Sequence, residues 1–589
     1  MGAVSGPSST ASASLAAPPA HWWTPRRVLV AGGALALLAV SWRAAEVRIG
    51  VLFSAEAASA MAKFLSGLFP PDFSWGFLRT VVRAAGQTLA TAVASTLLSV
   101  AFGLPLGLLA SEMLWRRGIL VEGEKKSLGS ALLAGASWLA RALLGFVRAV
   151  PDILWGILFV TMVGLGSLAG TLALAVAYSG MIGRVYSDVF DTVDAQPLEA
   201  LQSTGASRLQ IFLRGVWPQA LPALVAYTLY SFECCVRAAS VLGLVGAGGI
   251  GYEIGLSMRL FEYGQVLTLI LAFIALLAIS DVVSRRVRAR LNRALPGEVA
   301  ERQSKAGVTA RGASPGRARV ERVALWAALL AGVSASFHFS GFTRAAFDEA
   351  ELFRHAARFF GSMLPPDISR GFVGGLGVLL LQTIAIAVLG TLLGVVLGAM
   401  LSLPATASLI FLSPDAPGHH GRWERSLRWL GFWVARLVLN LLRAIPELVW
   451  VLVCILAIGI GPFAGTMAIG LHTAGVLGKL YAETMEEVPR RPLEALYALG
   501  AKPLQVLLRG IWPQARPMLR NYTLLRWEAN LRVSTILGLV GGGGLGQAIY
   551  NNIQLGFYPR VATMILVIYM LVMVSDWAGD RLRGRVITL

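Results

Sequence analysis

Long apolar segments, each about the length of a membrane crossing, recur along the whole chain. A helix needs roughly 20 mostly apolar residues to cross about 30 Å of hydrocarbon. The pattern in the first half predicts six such helices, near residues 28–42, 80–110, 130–163, 167–190, 219–242 and 263–284. Arg141 and Arg148 interrupt the third segment, so the alternative to one long span is an amphipathic lead-in followed by a shorter span from Pro151.

The second half repeats the first in an unbroken register. Residues 148–152 are Arg-Ala-Val-Pro-Asp and residues 443–447 are Arg-Ala-Ile-Pro-Glu, an offset of 295 positions (443 − 148). Trp-Pro-Gln at 217–219 returns with the same offset at 512–514. We therefore predict six further helices, which gives an all-α integral membrane protein with about 12 transmembrane helices in two tandem units.

An even number of crossings returns the chain to its starting side, so both units have the same orientation. Such parallel repeats are related by a pseudo-two-fold axis along the membrane normal, and the seam between them is the natural place for a solute path. Basic residues such as Arg285 and Arg286 follow the apolar segments and indicate the cytoplasmic side. We therefore expect both termini in the cytoplasm.

The apolar pattern and the composition between the repeats predict four divisions. Residues 28–40 resemble a signal peptide in length, but the copy of this segment lies mid-chain, so we expect a retained helix. The expected divisions are a disordered cytoplasmic tail at 1–25, a first transmembrane unit at 26–291, a flexible basic cytoplasmic linker at 292–320 and a second transmembrane unit at 321–589.

Composition narrows the class of protein further. Apolar residues make up 56% of the chain and charged residues 14%, which excludes a large soluble catalytic domain. The net charge of +19 does not indicate a nucleic-acid partner, because the basic residues flank membrane segments. Cys234, Cys235 and Cys454 have no metal-ligand spacing, and we interpret them as buried apolar residues. We expect no cofactor in this chain.

The loop after the fourth predicted helix has the features of a docking element. Pro197 suits a first helical turn, Leu198 and Leu201 share one face, and Gly205 ends the short helix. Small exposed residues permit a partner to approach closely, whereas the alternative is a solvated connection without a partner. The candidate docking residues are Glu199, Ala200, Gly205 and Pro218 in the first unit and Glu494, Ala495, Gly500 and Pro513 in the second.

Glycine runs follow the fifth predicted helix of each unit. Residues 246–251 and 541–546 match Gly-x-Gly-x-x-Gly, but each run follows an apolar helix rather than a strand, so we reject nucleotide binding. Glycines allow close backbone packing and break helices, as at an outer gate, and the alternative is a flexible loop without a gating role. The candidate gate residues are Gly246, Gly248, Gly541 and Gly543.

The docking element resembles the Glu-Ala-Ala coupling loop of bacterial ABC importer permeases, although Leu201 and Leu496 replace the second Ala. With the glycine runs and the Arg-Ala-Val-Pro-Asp motif, the chain most resembles phosphonate-type permeases, with methionine-type permeases as relatives. The resemblance implies type I importer domains in a prokaryotic inner membrane, two copies of an ATPase subunit that binds ATP and Mg²⁺, and a periplasmic or lipid-anchored binding protein. It also implies a small anionic substrate.

No Gly-x4-Gly-Lys-Ser/Thr phosphate loop occurs in the sequence, so we expect ATP hydrolysis in another subunit. A membrane enzyme is disfavoured because the histidines form no acid–base cluster, and His472 has Ala177 at its repeat position. An ion-coupled secondary transporter would more naturally have inverted repeats. The sequence leaves phosphonate, phosphite, phosphate and methionine open as substrates.

Opposite charges spaced four residues apart lie within the predicted membrane segments, where charges are costly. One interpretation is that each pair forms an intrahelical ion pair. The other is that Arg237 and Arg532 face each other across the pseudo-dyad and attract an oxyanion. The four pairs are Glu233 with Arg237, Glu528 with Arg532, Arg148 with Asp152, and Arg443 with Glu447.

Overall fold

The computed structural model describes residues 25–113, 128–294, 330–342, 349–408 and 422–587, and these residues form helices and turns without a β-strand. Residues 1–24 of the tail predicted at 1–25, and residues 295–320 of the linker predicted at 292–320, lie outside the described residues. The helices of the first half are α1 Pro25–Ala44, α2 Ala55–Gly67, α3 Trp75–Ala110, α4 Leu128–Ala149, α5 Asp152–Val163, α6 Ser167–Asp191, α7 Ala195–Ser203, α8 Trp217–Leu242, α9 Gly249–Arg259 and α10 Tyr263–Ala294.

The second half follows the same order of helices. They are α11 Leu330–Phe339, α12 Glu349–Ser362, α13 Arg370–Ala405, α14 Arg422–Ala444, α15 Glu447–Ile458, α16 Pro462–Glu486, α17 Arg490–Ala498, α18 Trp512–Leu537, α19 Gly544–Gln554 and α20 Tyr558–Ile587. Trp75 and Arg370, which begin α3 and α13, are 295 positions apart (370 − 75). The predicted duplication is therefore confirmed as a structural repeat.

Length and hydropathy qualify seven of the described helices as membrane spans, or nine if each of two bent pairs counts as one span. Three shorter apolar helices lie at α5, α11 and the greater part of α1. The predicted all-α membrane architecture of two tandem units is confirmed. The sequence pattern missed α2 and α9 and their copies α12 and α19, because these short helices combine polar and apolar residues without the length of a span.

The third predicted helix is broken at the proline in both units, so the prediction of one continuous helix is wrong and the expected break at Pro151 is present. In the first unit, however, Leu132–Ala149 rather than the segment after Pro151 has the length and hydropathy of a span. Pro151 and Pro446 have extended ψ angles of 143° and 150° and precede α5 and α15. Proline lacks the N–H that would continue the helix and therefore ends α4 and α14. The bend between α14 and α15 is 98°.

Small residues allow the central helices to pack closely. A Cβ at Gly103 of α3 would lie 3.0 Å from the carbonyl oxygen of Ser179, so a larger residue would push α3 and α6 apart at this crossing. The equivalent Gly398 of α13 would meet the nitrogen of Gly478 at 3.0 Å. Each unit therefore has a close-packed pair of long helices at its centre.

The two units interlock. Helix α1 packs against α13 of the other unit, where Ala45, Ala385 and Leu389 form a small buried cluster. In the reverse direction, α12 packs against α5. One large apolar cluster contains residues of both units and includes Leu154 and Leu537. The seam between the units is thus part of a common core rather than a loose contact.

Candidate translocation path and coupling surface

The predicted docking helix is present as α7, on the surface of the first unit. The side chain of Asp194 caps it by accepting a hydrogen bond from the Gln196 backbone N–H at 3.1 Å. Leu198 is buried beneath the helix, and it packs so closely on Gly215 that a Cβ there would collide with it. Glu199 and Ala200 face outward and are exposed.

The docking helices of both units end in the same way. Gly205 and Gly500 have φ angles of +78° and +79°, in the left-handed region that favours glycine. Both glycines are exposed, as are Glu494 and Ala495 on α17. Pro218 and Pro513 occupy the first turns of α8 and α18.

Exposed leucines lie beside these glycines. Leu499, next to Gly500, is 85% exposed, and Leu209 of the first unit is 66% exposed. The two docking surfaces therefore combine a glycine turn, an acidic residue and uncovered apolar side chains, which is a composition that suits contact with another protein.

The glycine runs form ordered, hydrogen-bonded turns. Gly246 and Gly541 have φ angles of +104° and +99°, and their carbonyl oxygens accept hydrogen bonds from the N–H groups of Gly166 and Gly461 at 3.0 and 2.9 Å. Gly248 and Gly543 also have positive φ angles, of 77° and 78°. These turns are packed rather than loose, and a gating role stays a prediction.

Two threonines hold the segments that follow the glycine runs. The hydroxyl of Thr88 accepts a hydrogen bond from the N–H of Ile250, and that of Thr383 accepts one from the N–H of Leu545, both at 3.0 Å. In the first unit, Gly246 lines a cavity of about 410 Å³. The first run therefore lies at the wall of an open space.

A second cavity of about 560 Å³ lies at the seam between the units. Helices α8 and α10 of the first unit and α14 to α16 and α18 of the second surround it. Arg532, which the sequence predicts to face Arg237, does not line it. The charged residues and the histidine at its wall are Glu233, Arg237, Asp281, Arg443, Glu447, His472 and Arg526.

None of the four predicted intrahelical ion pairs forms between these described residues; five of the eight charged groups pair with a different helix instead. Glu233 of α8 pairs with Arg288 of α10, and Glu528 of α18 pairs with Arg583 of α20. The helix that lies alongside supplies a closer cation than the same helix does four residues later. Arg148 also pairs across the seam, because its Nη2 lies 3.1 Å from the carboxylate of Asp576.

Glu447 is the most highly coordinated carboxylate at the seam cavity. Its Oε1 lies 3.1 Å from Nε2 of His472 and 3.2 Å from Nη2 of Arg526. Nδ1 of His472 lies 3.0 Å from the carbonyl oxygen of Ile445. Sequence reasoning used His472 only to exclude catalysis and missed Arg526, whose partner is 79 positions away.

Two arginines at the seam cavity have no such partner. Within the described ranges, the side chains of Arg237 and Arg443 form neither a hydrogen bond nor an ion pair, and both are exposed. The carboxylates of Glu233 and Glu447, in contrast, each have a cation, which is Arg288 for Glu233 and Arg526 for Glu447. Asp281, the third acidic residue, pairs with Arg285 at 2.9 Å. The lining has three arginines and three carboxylates, and Arg285 and Arg288 add two further cations beside it, so two positive charges at the cavity are not compensated.

Two interlocked helical units around a charged seam, each with an exposed helix-and-glycine turn, define a membrane permease built as a tandem repeat. The chain belongs to the family of binding-protein-dependent transport system inner membrane components, whose model matches residues 128–293 and 422–588. These are permease subunits of ABC importers, multi-pass membrane proteins that act with ATPase and substrate-binding partners.

Several relatives in this family are named for phosphorus oxyanions. The chain is 31% identical over 455 residues to the phosphate-import permease protein PhnE of Mycolicibacterium smegmatis, covering 76% of this chain and 78% of the relative. It is 36% identical over 223 residues to the phosphite transport system permease protein PtxC of Stutzerimonas stutzeri, covering 38% and 74%. The methionine ABC transporter MetNI, solved in inward-facing conformations, matches at 24% identity and a TM-score of 0.32 over 38% of this chain and 100% of that one.

Proposed function

We propose that this permease carries a small phosphorus oxyanion, such as phosphate, phosphite or a phosphonate, into a prokaryotic cell across the inner membrane. The observation that carries the proposal is the seam cavity, where Arg237 and Arg443 have no acidic partner among the described residues. Guanidinium groups bind phosphorus oxyanions well because their donors match the oxygen geometry. The names of the relatives support the same class of substrate.

Methionine is the second candidate, because permeases named for D-methionine are also similar, with 30% identity over 160 residues in one from Vibrio cholerae. A zwitterion needs a carboxylate for its ammonium group as well as a cation for its carboxylate. The three acidic side chains at the cavity are all engaged by cations of this chain. The charge balance of the cavity thus favours an oxyanion.

Uptake measurements test the substrate directly. Proteoliposomes that contain the complete transporter, with its ATPase and binding protein, should accumulate labelled phosphate, phosphite or methylphosphonate when ATP is enclosed with the ATPase. Labelled methionine should not accumulate, and ATP depletion should stop uptake. ATP-dependent uptake of methionine without uptake of any of the three phosphorus compounds would refute the proposal.

The two docking helices α7 and α17 serve, in this proposal, to couple the permease to two copies of an ATPase subunit. Those subunits bind ATP and Mg²⁺, and this chain holds neither. Both termini and the linker at 292–320 then lie in the cytoplasm, between units at 26–291 and 321–589. The exposure of Glu199, Ala200, Glu494 and Ala495 supports the assignment.

Bulky substitutions test the coupling surface. Ala200→Trp with Ala495→Trp should abolish co-purification of the ATPase, because each indole would occupy the docking face. Ser59→Trp on α2, also exposed, is the matched control and should keep the complex intact. If the Ala200→Trp, Ala495→Trp variant still associated with the ATPase and transported normally, the coupling role would be refuted.

Labelling tests the side of the membrane on which the docking helices lie. The thiols of Glu199→Cys and Glu494→Cys should both react only with a reagent applied from the cytoplasmic side.

A further inference from the structure

The carboxylate of Asp576 binds two arginines at once, and these arginines come from different units. Oδ2 accepts from Nη2 of Arg148 at 3.1 Å, and Oδ1 accepts from Nη2 of Arg532 at 2.8 Å. An oxyanion with two oxygens is thus held between two guanidinium groups at the seam. This arrangement is an oxyanion-binding site that the chain fills with its own carboxylate, that of Asp576.

The internal repeat contains a second, equivalent pair of arginines. Subtracting 295 from 532 gives Arg237, and adding 295 to 148 gives Arg443. Both line the seam cavity, and in the described structure neither has an acidic partner. The cavity therefore contains the pseudo-symmetric copy of a two-arginine oxyanion site.

The sequence explains why the two sites differ. The counterpart of Asp576 is Asp281, which Arg285 binds four residues further along the same helix, at 2.9 Å. The residue four positions after Asp576 is instead Asp580, which pairs with Arg583. A like charge at this spacing repels the Asp576 carboxylate from its own helix, whereas Arg285 retains Asp281. Asp576 is thus directed across the seam, whereas Asp281 stays paired on its own helix.

We propose that Arg237 and Arg443 bind the transported oxyanion in the seam cavity, and that Asp576 fills the equivalent site on the other side of the pseudo-dyad. The chain then has one substrate site rather than two. Asp281, held by Arg285, is the group that would compete for the site if released. This inference rests on the proposed function, since it assumes an anionic substrate.

Uptake of inorganic phosphate by the complete reconstituted transporter tests the site. Arg237→Gln with Arg443→Gln should lower the initial rate at least tenfold, while the complex elutes intact in size-exclusion chromatography. Arg237→Lys with Arg443→Lys keeps the charges and should recover part of the rate. Arg148→Gln with Arg532→Gln is the pseudo-symmetric control, and it should lower the rate much less than the first pair does.

A variant of Arg285 tests the role of Asp281 independently. Arg285→Asp copies the residue found at position 580 and should release Asp281 to bind Arg237 and Arg443, so phosphate uptake should fall. Adding Asp281→Asn to this variant should restore uptake. Arg285→Asp alone without effect on uptake would contradict the competition.

Two results would overturn the one-sided site. One is unchanged phosphate uptake in the Arg237→Gln, Arg443→Gln variant, and the other is an equal loss in the Arg148→Gln, Arg532→Gln variant of an intact complex. A wild-type transporter that moves none of the phosphorus oxyanions would instead refute the proposed function. Refutation of the proposed function and refutation of the one-sided site therefore give different experimental results.

Discussion

Nε2 of His472 lies 3.1 Å from Oε1 of Glu447, within a polar cluster that the second unit has and the first lacks. Arg526 completes the cluster by donating to the same carboxylate oxygen at 3.2 Å. The two units therefore share a fold but differ in the chemistry of their inner surfaces. The residues at the corresponding positions of the first unit are Asp152, Ala177 and Ser231.

Removing the charge of Glu447 alone should destabilise the protein more than replacing the whole cluster. Glu447→Gln leaves Arg526 at the cavity wall without its carboxylate, which costs about 3–5 kcal/mol in buried ion pairs. The triple variant Glu447→Asp, His472→Ala, Arg526→Ser copies the first unit and leaves no cation of this cluster without its partner. Thermal unfolding of the purified transporter in detergent measures both.

Asp152→Asn at the repeat position is the control for these variants. Its effect on the unfolding temperature should be small, because no ion pair to Asp152 forms among the described residues. An unfolding temperature of the triple variant as low as that of Glu447→Gln would show that the cluster contributes packing rather than charge balance.

The glycine turns should tolerate no side chain at their closest contacts. A Cβ at Gly251 would collide with the carbonyl oxygen of Ser240, a backbone atom that cannot move aside without breaking α8. We expect Gly251→Ala to lower the yield of folded protein severely. Gly86→Ala on α3 meets no atom within 4 Å and should leave stability unchanged or raise it by up to about 1 kcal/mol. Fluorescence-detected size-exclusion chromatography compares the two, and equal yields would contradict the close packing.

The glycine after α7 should be required for its backbone angle. A left-handed conformation costs most L-residues about 1–2 kcal/mol, and Asn adopts it more readily than a β-branched residue. Gly205→Val should therefore impair ATP-dependent uptake more than Gly205→Asn, although a Cβ at this position meets no atom within 4 Å. Equal uptake in the two variants would show that the turn can adopt another conformation.

The helices and their repeat could be predicted because lipid imposes length and hydropathy on each span, and both signals lie in local sequence. The docking helix was predictable for a similar reason, since Pro197, Leu198 and Gly205 mark its start, its buried face and its end. The ion pairs were not, because Glu233 finds Arg288 at a distance of 55 positions. Spacing along one helix could not show which neighbouring helix brings a closer cation.

The asymmetry of the seam could be predicted from the sequence only in part. Asp281 and Asp576 occupy one repeat position, so the alignment alone suggests equal roles. The residues four positions later, Arg285 and Asp580, have opposite charges, and this local difference was available in the sequence. That Asp576 pairs across the seam could be seen only in the structure, because the fold brings Nη2 of Arg148 in the other unit to 3.1 Å from its carboxylate.

The acidic side chain in the loop before α13 should contribute a pH-dependent part of stability. Oδ1 of Asp367 accepts the backbone N–H of Ser369 at 3.0 Å, and Oδ2 accepts Nε of Arg560 at 3.2 Å. These donors favour the charged carboxylate and hold the pKa of Asp367 below its ordinary value, with the Ser369 N–H as the main cause. In the first unit, the N–H of Ser74 lowers the pKa of Asp72 in the same way.

A group with a lowered folded-state pKa stabilises the protein fully above its unfolded pKa of about 3.9, and this stabilisation is lost as the pH falls through the folded pKa. The unfolding temperature of the wild type should therefore decrease below about pH 4. Asp367→Asn should reduce that decrease. Arg560→Gln, which copies Gln265 of the first unit, should retain most of it because the Ser369 N–H remains. If Arg560→Gln reduced the pH dependence as much as Asp367→Asn, the guanidinium rather than the backbone would be the principal donor.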